Sequence, residues 1–333
     1  MKDIVIIGAG PAGLSAALYG ARAGMDLVVL DSNYMAGGQV LTTYEVDNYL
    51  GLPGSNGFDM GMKFKEHVEK LGVEISSLTV EKIECVEEIR GTQAEDTERA
   101  EYIEKTEEEG KTAYTGKYFV VHTDQEDIAC RTVLLATGAV NRKLEIPGEE
   151  AFRGRGVGYC ATCDGAFFRG KMTAVIGGSY QAVEDAIYLS GLCKKVYLIH
   201  RRDKLRAGAV LEEQLMKLPN VEIVWDSIPL EKSGTSAVEE LLIKNVRTEE
   251  EQKLRVDGIF VAIGTLPQTE LAEGLVKLDE QGYVIAGETG ETSLSGFFVA
   301  GDIRTKQLRQ IVTAVADGAN AVTTAWNYIE QTK

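Results

Sequence analysis

The feature that most constrains the fold is a glycine-rich turn near the start of the chain, where residues 8–13 read G-x-G-x-x-G. An apolar strand pattern precedes the turn, a helical pattern follows it, and residues 26–31 predict a second strand. Asp31 ends that strand at close to the spacing of about 20 residues that places an acid on an adenosine ribose. The sequence therefore predicts a βαβ unit that binds the pyrophosphate and ribose of FAD or NAD through Gly8, Gly10, Gly13 and Asp31.

A second strand–turn–helix–strand pattern lies farther along the chain, between residues 172 and 200. Its turn begins at Gly177 and reads G-x-S-x-x-A, with Ser179 where a second glycine would let the backbone approach a pyrophosphate. His200 takes the place that the acid has in the first unit. Three arginines follow it: Arg201, Arg202 and Arg206. Their charges favour binding of a ribose 2′-phosphate, and therefore of NADPH; the alternative is a solvated basic patch without a ligand.

Two such units far apart in one chain predict an α/β protein with two Rossmann-like, three-layer nucleotide-binding domains, the second inserted in the first. A length of 333 residues suits about two domains. We assign residues 1–140 and 268–333 to the FAD-binding domain and residues 141–267 to the inserted domain. The candidate linkers are the segments near residues 140–147 and 264–269.

Charge and hydropathy exclude several classes of function. The formal net charge is −16 at pH 7, so bulk electrostatics does not favour a nucleic-acid partner. No apolar run is long enough to span a membrane and the N-terminus lacks a secretory signal pattern, so we expect a cytoplasmic protein without membrane contact. Acidic residues concentrate near residues 88–116, which predicts a solvated insertion in the first domain, either a hairpin extension or a partly disordered segment.

Cys160 and Cys163 form a C-x-x-C motif that Asp164 follows directly. Two thiols at this spacing can close a reversible disulfide, and the adjacent carboxyl group could donate or accept a proton. The alternative is half of a zinc site, but the chain has no second C-x-x-C and no histidine near the motif, which argues against a metal. The other cysteines stand alone and are interpreted as structural residues: Cys85, Cys130 and Cys193.

These motifs, in this order, resemble the low-molecular-weight bacterial thioredoxin reductases, which are flavoprotein pyridine-nucleotide disulfide oxidoreductases. The resemblance covers nearly the whole chain apart from about residues 88–116. Its most specific element is the cysteine pair inside the second nucleotide-binding domain. It extends to further matching residues: Gly37 to Gln39, Asn48, Ala136 to Ala139, His200 to Arg202, Gly301, Asp302, Arg309 and Gln310.

The resemblance implies a role for each matching residue. Cys163 would lie next to the flavin, Cys160 would attack the partner disulfide and Asp164 would be the acid–base group. NADPH would bind at the Gly177 turn, with its 2′-phosphate held by Arg201, Arg202 and Arg206. FAD would be held by Gly8, Gly10, Gly13, Asp31, Gly38, Gln39, Asn48, Gly138, Gly301, Asp302, Arg309 and Gln310.

The predicted reaction passes electrons from NADPH through FAD and the cysteine pair to thioredoxin or a similar dithiol protein, and the resemblance implies a homodimer. The chain departs from the family pattern at Ser179, at Tyr180, which is bulky where the dinucleotide would pass, and at Gln268. These departures support an alternative in which another donor, such as ferredoxin, reduces the flavin. Further alternatives are a dithiol oxidase that passes electrons to oxygen and a non-catalytic FAD-binding interaction protein, which would leave the cysteine pair unexplained.

Overall fold

The computed structural model describes residues 1–43, 46–91, 106–108 and 111–332. The chain divides into two compact units. The first unit comprises Met1–Thr43, Ser55–Val140 and Pro267–Lys333, and the second comprises Tyr44–Gly54 and Asn141–Leu266. The segment Tyr44–Gly54 thus groups with the second unit, whereas the domain bounds predicted from the sequence include it in the first domain.

The strands are β1 (Lys2–Ile7), β2 (Leu27–Leu30), β3 (Ile75–Ser76), β4 (Val80–Gly91), β5 (Thr106–Glu108), β6 (Lys111–Thr123), β7 (Asp127–Leu135), β8 (Ala139–Asn141), β9 (Val157–Gly158), β10 (Met172–Gly177), β11 (Lys195–Ile199), β12 (Val221–Val224), β13 (Ser227–Ser233), β14 (Glu240–Asn245), β15 (Glu251–Arg255), β16 (Gly258–Ala262), β17 (Thr265–Pro267) and β18 (Phe297–Val299). The α-helices are α1 (Pro11–Arg22), α2 (Gly57–Glu69), α3 (Ala161–Asp164), α4 (Tyr180–Ser190), α5 (Ala209–Met216) and α6 (Ile311–Gln331). Three short 3₁₀ segments span Gly38–Thr42, Gly165–Phe168 and Glu270–Ala272.

The first unit is built on a parallel sheet in which β1 lies between β2 and β7, β3 joins β2, and β18 joins β7. Alternate residues of β1 pack into different apolar clusters, Ile4 and Ile6 on one side and Val5 and Ile7 on the other. Both faces of this strand are therefore covered, which explains why its sequence is a continuous apolar run rather than an alternating pattern.

The antiparallel strands β6 and β4 extend this sheet beyond β7. Their pairing runs from Val80 opposite Thr123 to Gly91 opposite Ala113. Most of the predicted insertion at residues 88–116 lies outside the described residues. Its described ends continue the β4–β6 pairing as an extended hairpin.

The second unit repeats the same arrangement with a parallel sheet in the order β12-β11-β10-β16-β9. Val175 of β10 packs on one side, against α4, while Ala174 and Ile176 pack on the other. The strands β13, β14 and β15 form a separate antiparallel sheet. Two parallel sheets of matching strand order confirm the prediction of two Rossmann-like units, the second inserted in the first.

The two chain segments that join the units contain β8 and β17, which pair with each other as a two-stranded sheet. These strands fall within or beside the linkers expected near residues 140–147 and 264–269. Among the described residues, no helix combines the length and the apolar character that crossing a membrane requires.

Candidate functional site

Three loops of the first unit meet at the edge of the sheet where β1, β7 and β18 end. A Cβ atom built on Gly8 would lie 2.5 Å from the carbonyl oxygen of Ala136, which follows β7. One built on Gly301, after β18, would lie 2.9 Å from Cβ of Ala12 in α1. Ligands of open α/β sheets bind at this carboxyl edge of the strands. The edge brings together several predicted cofactor residues: Gly8, Gly10, Gly13, Gly138, Gly301 and Asp302.

The first glycine turn has the geometry that a bound pyrophosphate needs. A Cβ atom on Gly13 would lie 1.8 Å from the carbonyl oxygen of Gly8, so this glycine lets α1 pack directly on the turn. Around Gly10 the nearest atom to an added Cβ is Cα of Gly38, at 3.9 Å, so packing alone does not demand a glycine there. Gly10 is the N-cap of α1 and no described side chain caps the helix, which leaves its first N–H groups facing the approach to an anion.

Asp31 follows β2 beside this turn. Its Oδ2 accepts a hydrogen bond from the backbone N–H of Ala9 at 2.7 Å. Its Oδ1 accepts from the backbone and side-chain N–H groups of Asn33 at 2.8 and 2.9 Å. These bonds hold the carboxylate at the rim of the turn, the position from which an acid can bind ribose hydroxyls.

The turn that contains Gly38 and Gln39 approaches the same edge. A Cβ atom on Gly38 would lie 3.1 Å from Cα of Gly10. Gln39 donates a side-chain hydrogen bond to the carbonyl oxygen of Ala139, the neighbour of Gly138. The structure therefore places Gly10, Gly38, Gln39 and Gly138 together. Asn48 is exposed and belongs to the segment that groups with the second unit, so its role stays a prediction.

Asp302 carries a buried oxygen, Oδ1, that has no hydrogen-bond partner among the described residues. Burial raises the pKa of Asp302, an effect that the charges of Lys306 and Arg309 oppose. Arg309 lies 4.1 Å from the ring centroid of Tyr283, and its Nε donates to the carbonyl oxygen of Asp302 at 3.5 Å. A buried carboxylate oxygen without a hydrogen-bond partner is unfavourable, and a hydroxyl group of a bound FAD could donate the missing hydrogen bond.

Gln310 is the N-cap of α6, where its backbone N–H donates to Oγ1 of Thr313 at 3.1 Å. The start of this long helix therefore lies directly after Arg309. Both residues predicted near the flavin ring are thus fixed by local contacts in one loop, which also contains Asp302.

A buried ionic cluster that the sequence analysis missed holds the Gly301–Asp302 turn against α6. Asp317 accepts hydrogen bonds from Gly301 N–H at 3.0 Å, from Arg304 Nε and Nη2 at 2.8 and 2.7 Å, and from Lys306 Nζ at 2.8 Å. Burial raises the pKa of Asp317, but the hydrogen bonds and charges of Arg304 and Lys306 outweigh it and the net shift is downward. One sequence signal could have indicated this cluster: an aspartate lies within the apolar pattern of a long helix. A carboxylate that faces the core needs cationic partners, so such an aspartate predicts a buried ion pair.

In the second unit, Cys160 and Cys163 are joined by a disulfide with their Cα atoms 5.3 Å apart. Cys160 is the N-cap of α3, and its Sγ accepts a hydrogen bond from the backbone N–H of Cys163 at 3.2 Å. The other cysteines are buried or half-buried thiols, and burial raises the pKa of Cys130 to about 12. No group of three or more His, Cys, Asp and Glu side chains could hold a metal in the part of the chain that is described.

Asp164 directly follows the pair and lies in apolar surroundings. A Cβ atom built on Gly158 would lie 2.9 Å from its Oδ2 and 3.5 Å from the ring of Phe260. Burial raises the pKa of Asp164 to about 6. A carboxyl group with such a pKa can hold and release a proton close to neutral pH.

The glycine turn of the second unit is covered by a histidine ring. A Cβ atom on Gly178 would lie 2.2 Å from the imidazole of His200, so only glycine fits beneath this ring. Nε2 of His200 lies 3.0 Å from the carbonyl oxygen of Lys204. Burial lowers the pKa of His200, and the charges of Arg206, Arg202 and Arg201 lower it further. The ring is therefore neutral near pH 7 and donates from Nε2.

The three arginines around this turn are exposed, and among the described residues none of them takes part in an ion pair. Arg206 also bonds the turn through its backbone, because its N–H donates to the carbonyl oxygen of Gly178 at 2.8 Å. Oγ of Ser179 is the N-cap acceptor of α4, 3.5 Å from the N–H of Ala182. Tyr180 is 55% exposed and is hydrogen-bonded to Glu184 one helical turn on. The turn thus combines free cations with a side chain at its second glycine position.

Comparison with known proteins adds independent evidence. The family described as pyridine nucleotide-disulphide oxidoreductase matches residues 2–318. The thioredoxin reductase of Peptoclostridium acidaminophilum is 38% identical in an alignment that covers 98% of this chain and 97% of that protein. The thioredoxin reductase of Bacillus subtilis (strain 168) is 36% identical over 330 residues, with 99% and 95% covered. The crystal structure of thioredoxin reductase from Streptococcus pyogenes MGAS5005 superposes with a TM-score of 0.85 at 38% identity, over 99% of both chains.

These similarities extend along the whole chain and include both units. They agree with the order of motifs on which the resemblance to thioredoxin reductases was based, so that resemblance is confirmed. The chain belongs to the pyridine nucleotide-disulphide oxidoreductase family.

Proposed function

We propose that this chain is an FAD-dependent disulfide reductase that passes electrons from NADPH through FAD and the Cys160–Cys163 pair to thioredoxin or a similar dithiol protein. The observation that carries the proposal is the disulfide within the inserted nucleotide-type unit, followed directly by a carboxyl group with a raised pKa. The thioredoxin reductases that match this chain over nearly its full length support the same reaction class.

The residues at the edge of the first sheet fit FAD. The pyrophosphate would lie at Gly10 and the first N–H groups of α1, and the adenosine ribose would bind Asp31. The orphaned oxygen of Asp302 would accept a hydrogen bond from a hydroxyl of the cofactor, with Arg309 and Gln310 near the ring. When bound, FAD supplies the group that accepts a hydride and delivers two electrons to a disulfide.

The chain's own residues account for the exchange chemistry. Two electrons and two protons open the Cys160–Cys163 disulfide to a dithiol. The thiolate of Cys160 then attacks the disulfide of the partner, so that a mixed S–S bond forms and the partner's S–S bond breaks. The released thiolate takes up the proton that Cys160 lost on ionising, and Asp164, whose pKa of about 6 lets it hold and release a proton near neutral pH, would carry that proton. Cys163 then attacks Cys160, which restores the internal disulfide and releases the reduced partner.

For the electron donor we favour NADPH. Three exposed arginines without ion pairs can bind a 2′-phosphate by charge-assisted hydrogen bonds, and the neutral His200 among them does not repel it. A second candidate is a protein donor such as ferredoxin. It is supported by the ring of His200 over Gly178 and by the side chain of Ser179, which both occupy the face where a pyrophosphate would meet backbone.

Anaerobic titration of the purified flavoprotein separates these donors. We expect NADPH to bleach the oxidised flavin absorbance at lower concentration than NADH, and reduced ferredoxin to have no advantage. Turnover with thioredoxin should disappear in Cys160→Ser and in Cys163→Ser, while both variants retain FAD. Bleaching by reduced ferredoxin alone would establish the second candidate. Colourless protein that takes up no FAD would refute the flavoprotein proposal altogether.

The proposal includes a cytoplasmic location and a homodimer. Cys85, Cys130 and Cys193 are free thiols, and a reducing compartment keeps such thiols reduced. Light scattering on the purified holoenzyme measures the assembly, and a mass equal to one chain of 36.2 kDa would refute the dimer.

A further inference from the structure

The side chain between the two redox cysteines contacts one of them directly. Oγ1 of Thr162 lies 3.4 Å from Sγ of Cys160. Because that sulfur is part of a disulfide, it carries no hydrogen, and the hydroxyl group of Thr162 must be the donor. The backbone N–H of Cys163 donates to the same sulfur at 3.2 Å. Two donors therefore converge on Sγ of Cys160.

We propose that Thr162 is a catalytic residue whose hydroxyl group stabilises the thiolate of Cys160 and so makes it the attacking thiol. The inference rests on the proposed function for the step that it serves. In that step the Cys160 thiolate forms a bond to one sulfur of the partner disulfide, the other sulfur leaves as a thiolate, and that thiolate takes up a proton. Only the thiolate attacks, so a donor that favours the charged form increases the reactive fraction near neutral pH.

A hydrogen bond donated to the charged form of an acid, such as a thiolate, lowers the pKa of that acid. Other ionisable groups belong to the elements on or beside the pair: Arg153, Tyr159 and Asp164 near it in sequence, and Glu184, Asp185 and Tyr188 on α4, which packs against α3. Burial raises the pKa of Asp164 to about 6 and, together with Glu184, raises that of Asp185 to about 7. The test must therefore hold these groups constant and change the hydroxyl group alone.

Cys163→Ser holoenzyme, whose single motif thiol is Cys160, provides that background. Thr162→Val removes the hydroxyl group at nearly constant shape, Thr162→Ser retains it, and Thr162→Ala is a second variant without it. The probe is iodoacetamide, and the measurement is the rate of alkylation of Cys160 from about pH 6 to about pH 10, which brackets the ordinary cysteine pKa. Flavin absorbance and circular dichroism verify that each variant is folded.

We expect Thr162→Val to raise the thiol pKa by about one unit, which corresponds to about 1.4 kcal/mol. Below the pKa the thiolate fraction falls about tenfold, but a more basic thiolate is intrinsically about threefold more reactive. The variant should therefore react about threefold more slowly near neutral pH and about threefold faster at high pH. The two profiles cross, which a merely structural disturbance would not produce. Thr162→Ala should follow the valine variant, and Thr162→Ser should follow the parent.

Coincident profiles for the valine variant and its parent would overturn the inference. An equal shift in the valine and serine variants would also overturn it, because the lost methyl or altered packing would then be the cause. The alkylation rate requires neither an electron donor nor a protein partner. Failure of the proposed function is seen separately, as retained disulfide turnover in Cys160→Ser or Cys163→Ser.

Discussion

Replacing Asp317 by asparagine tests whether the buried ionic cluster supports the Gly301–Asp302 turn. The substitution keeps the shape of the side chain but removes the charge that faces Arg304 and Lys306. Arg304 is 3% exposed, and the Lys306 side chain is 6% exposed, so water cannot readily replace the lost acceptor. Removing one partner of a buried ion pair typically costs about 3–5 kcal/mol.

The expected loss is about 3 kcal/mol, at the low end of that range. Arg304 retains the carbonyl oxygen of Thr305 at 3.0 Å and the carboxylate of Glu288 at 3.2 Å, whereas Lys306 loses its carboxylate partner. If the turn that presents Asp302 loosens by the same free energy, the affinity for FAD falls about a hundredfold.

The two tryptophans of the chain allow the two units to be followed separately. Trp326 lies in α6 of the first unit and Trp225 lies in the second unit, between β12 and β13. Urea unfolding of Asp317→Asn in a Trp225→Phe background, followed by the fluorescence of Trp326, gives the change in the first unit. Retained FAD is measured by flavin absorbance after gel filtration.

Glu288→Gln is the matched control, because the Glu288 side chain also pairs with Arg304 but is 83% exposed. A solvent-exposed ion pair contributes little to stability, so this variant should change the free energy of unfolding by no more than about 1 kcal/mol. An Asp317→Asn protein that unfolds within 1 kcal/mol of wild type (roughly the limit for an exposed pair) and keeps its FAD would refute the supporting role of the cluster.

The pH dependence gives a second test of the same cluster. The pKa of Asp317 is lower in the folded chain than in the unfolded chain, so its stabilisation is complete above the unfolded value of about 3.9 and is lost as the pH falls through the folded value. The difference in stability between wild type and Asp317→Asn should therefore be constant near neutral pH. It should shrink only below about pH 4.

Three further variants test the proposed sites. Gly10→Val should abolish FAD binding without unfolding the first unit, because among the described residues the added Cβ would have only Cα of Gly38 within 4 Å, at 3.9 Å, and the side chain would fill the space expected for the pyrophosphate. Flavin absorbance measures the bound FAD and circular dichroism measures the folding. Asp164→Asn should remove the ionisation near pH 6 from the pH–rate profile of thioredoxin reduction and, because burial disfavours the charged carboxylate, should make the second unit more stable at pH 7 in urea unfolding. Arg201→Ala combined with Arg202→Ala should remove the preference for NADPH over NADH, measured as the ratio of kcat/KM values; an unchanged ratio would contradict the assignment of the 2′-phosphate site.

Local patterns in the sequence were sufficient to predict both parallel sheets. The run that became β1 and the turn that follows it are specified within a few residues, since apolar periodicity and glycine positions act over short distances. The position of Asp31 beside Ala9 follows from the same short unit. The disulfide of Cys160 and Cys163 was likewise predictable from a spacing of three residues.

Networks between distant side chains could not be predicted in this way. A lysine is usually exposed, yet the side chain of Lys232 is fully buried, 3.9 Å from Oε1 of Glu149. The same oxygen accepts from the hydroxyl group of Tyr159 at 2.8 Å. These residues come from three separate segments, so nothing within any one of them reveals the pairing. The cluster around Asp317 was missed for the same reason, because its cations lie in a loop and its acid lies in a helix.

The residue that follows the second strand of the βαβ pattern differs in charge between the two units. In the first unit Asp31 is a carboxylate that accepts from the turn at Ala9, and such a group repels a phosphate while it binds ribose hydroxyls. In the second unit His200 lies on Gly178 and donates from Nε2 to the carbonyl oxygen of Lys204, which leaves Nδ1 unprotonated toward the turn. Burial and the neighbouring arginines lower the pKa of His200, so the ring adds no charge of its own.

In the second unit a neutral ring among exposed cations thus takes the place of the carboxylate, while the strand order of the sheet stays the same. Obstruction of the turn by Tyr180 stays a prediction; that side chain is 55% exposed and hydrogen-bonded to Glu184. Among the described residues, the ring of His200 lies directly over Gly178 of the turn. His200 stands where the first unit has a carboxylate, so this position does not repel a 2′-phosphate. Its ring, however, narrows the space through which a pyrophosphate would approach the backbone of the turn. Because of these two opposing effects, we expect the choice between NADPH and a protein donor to depend on His200 and the arginines that follow it.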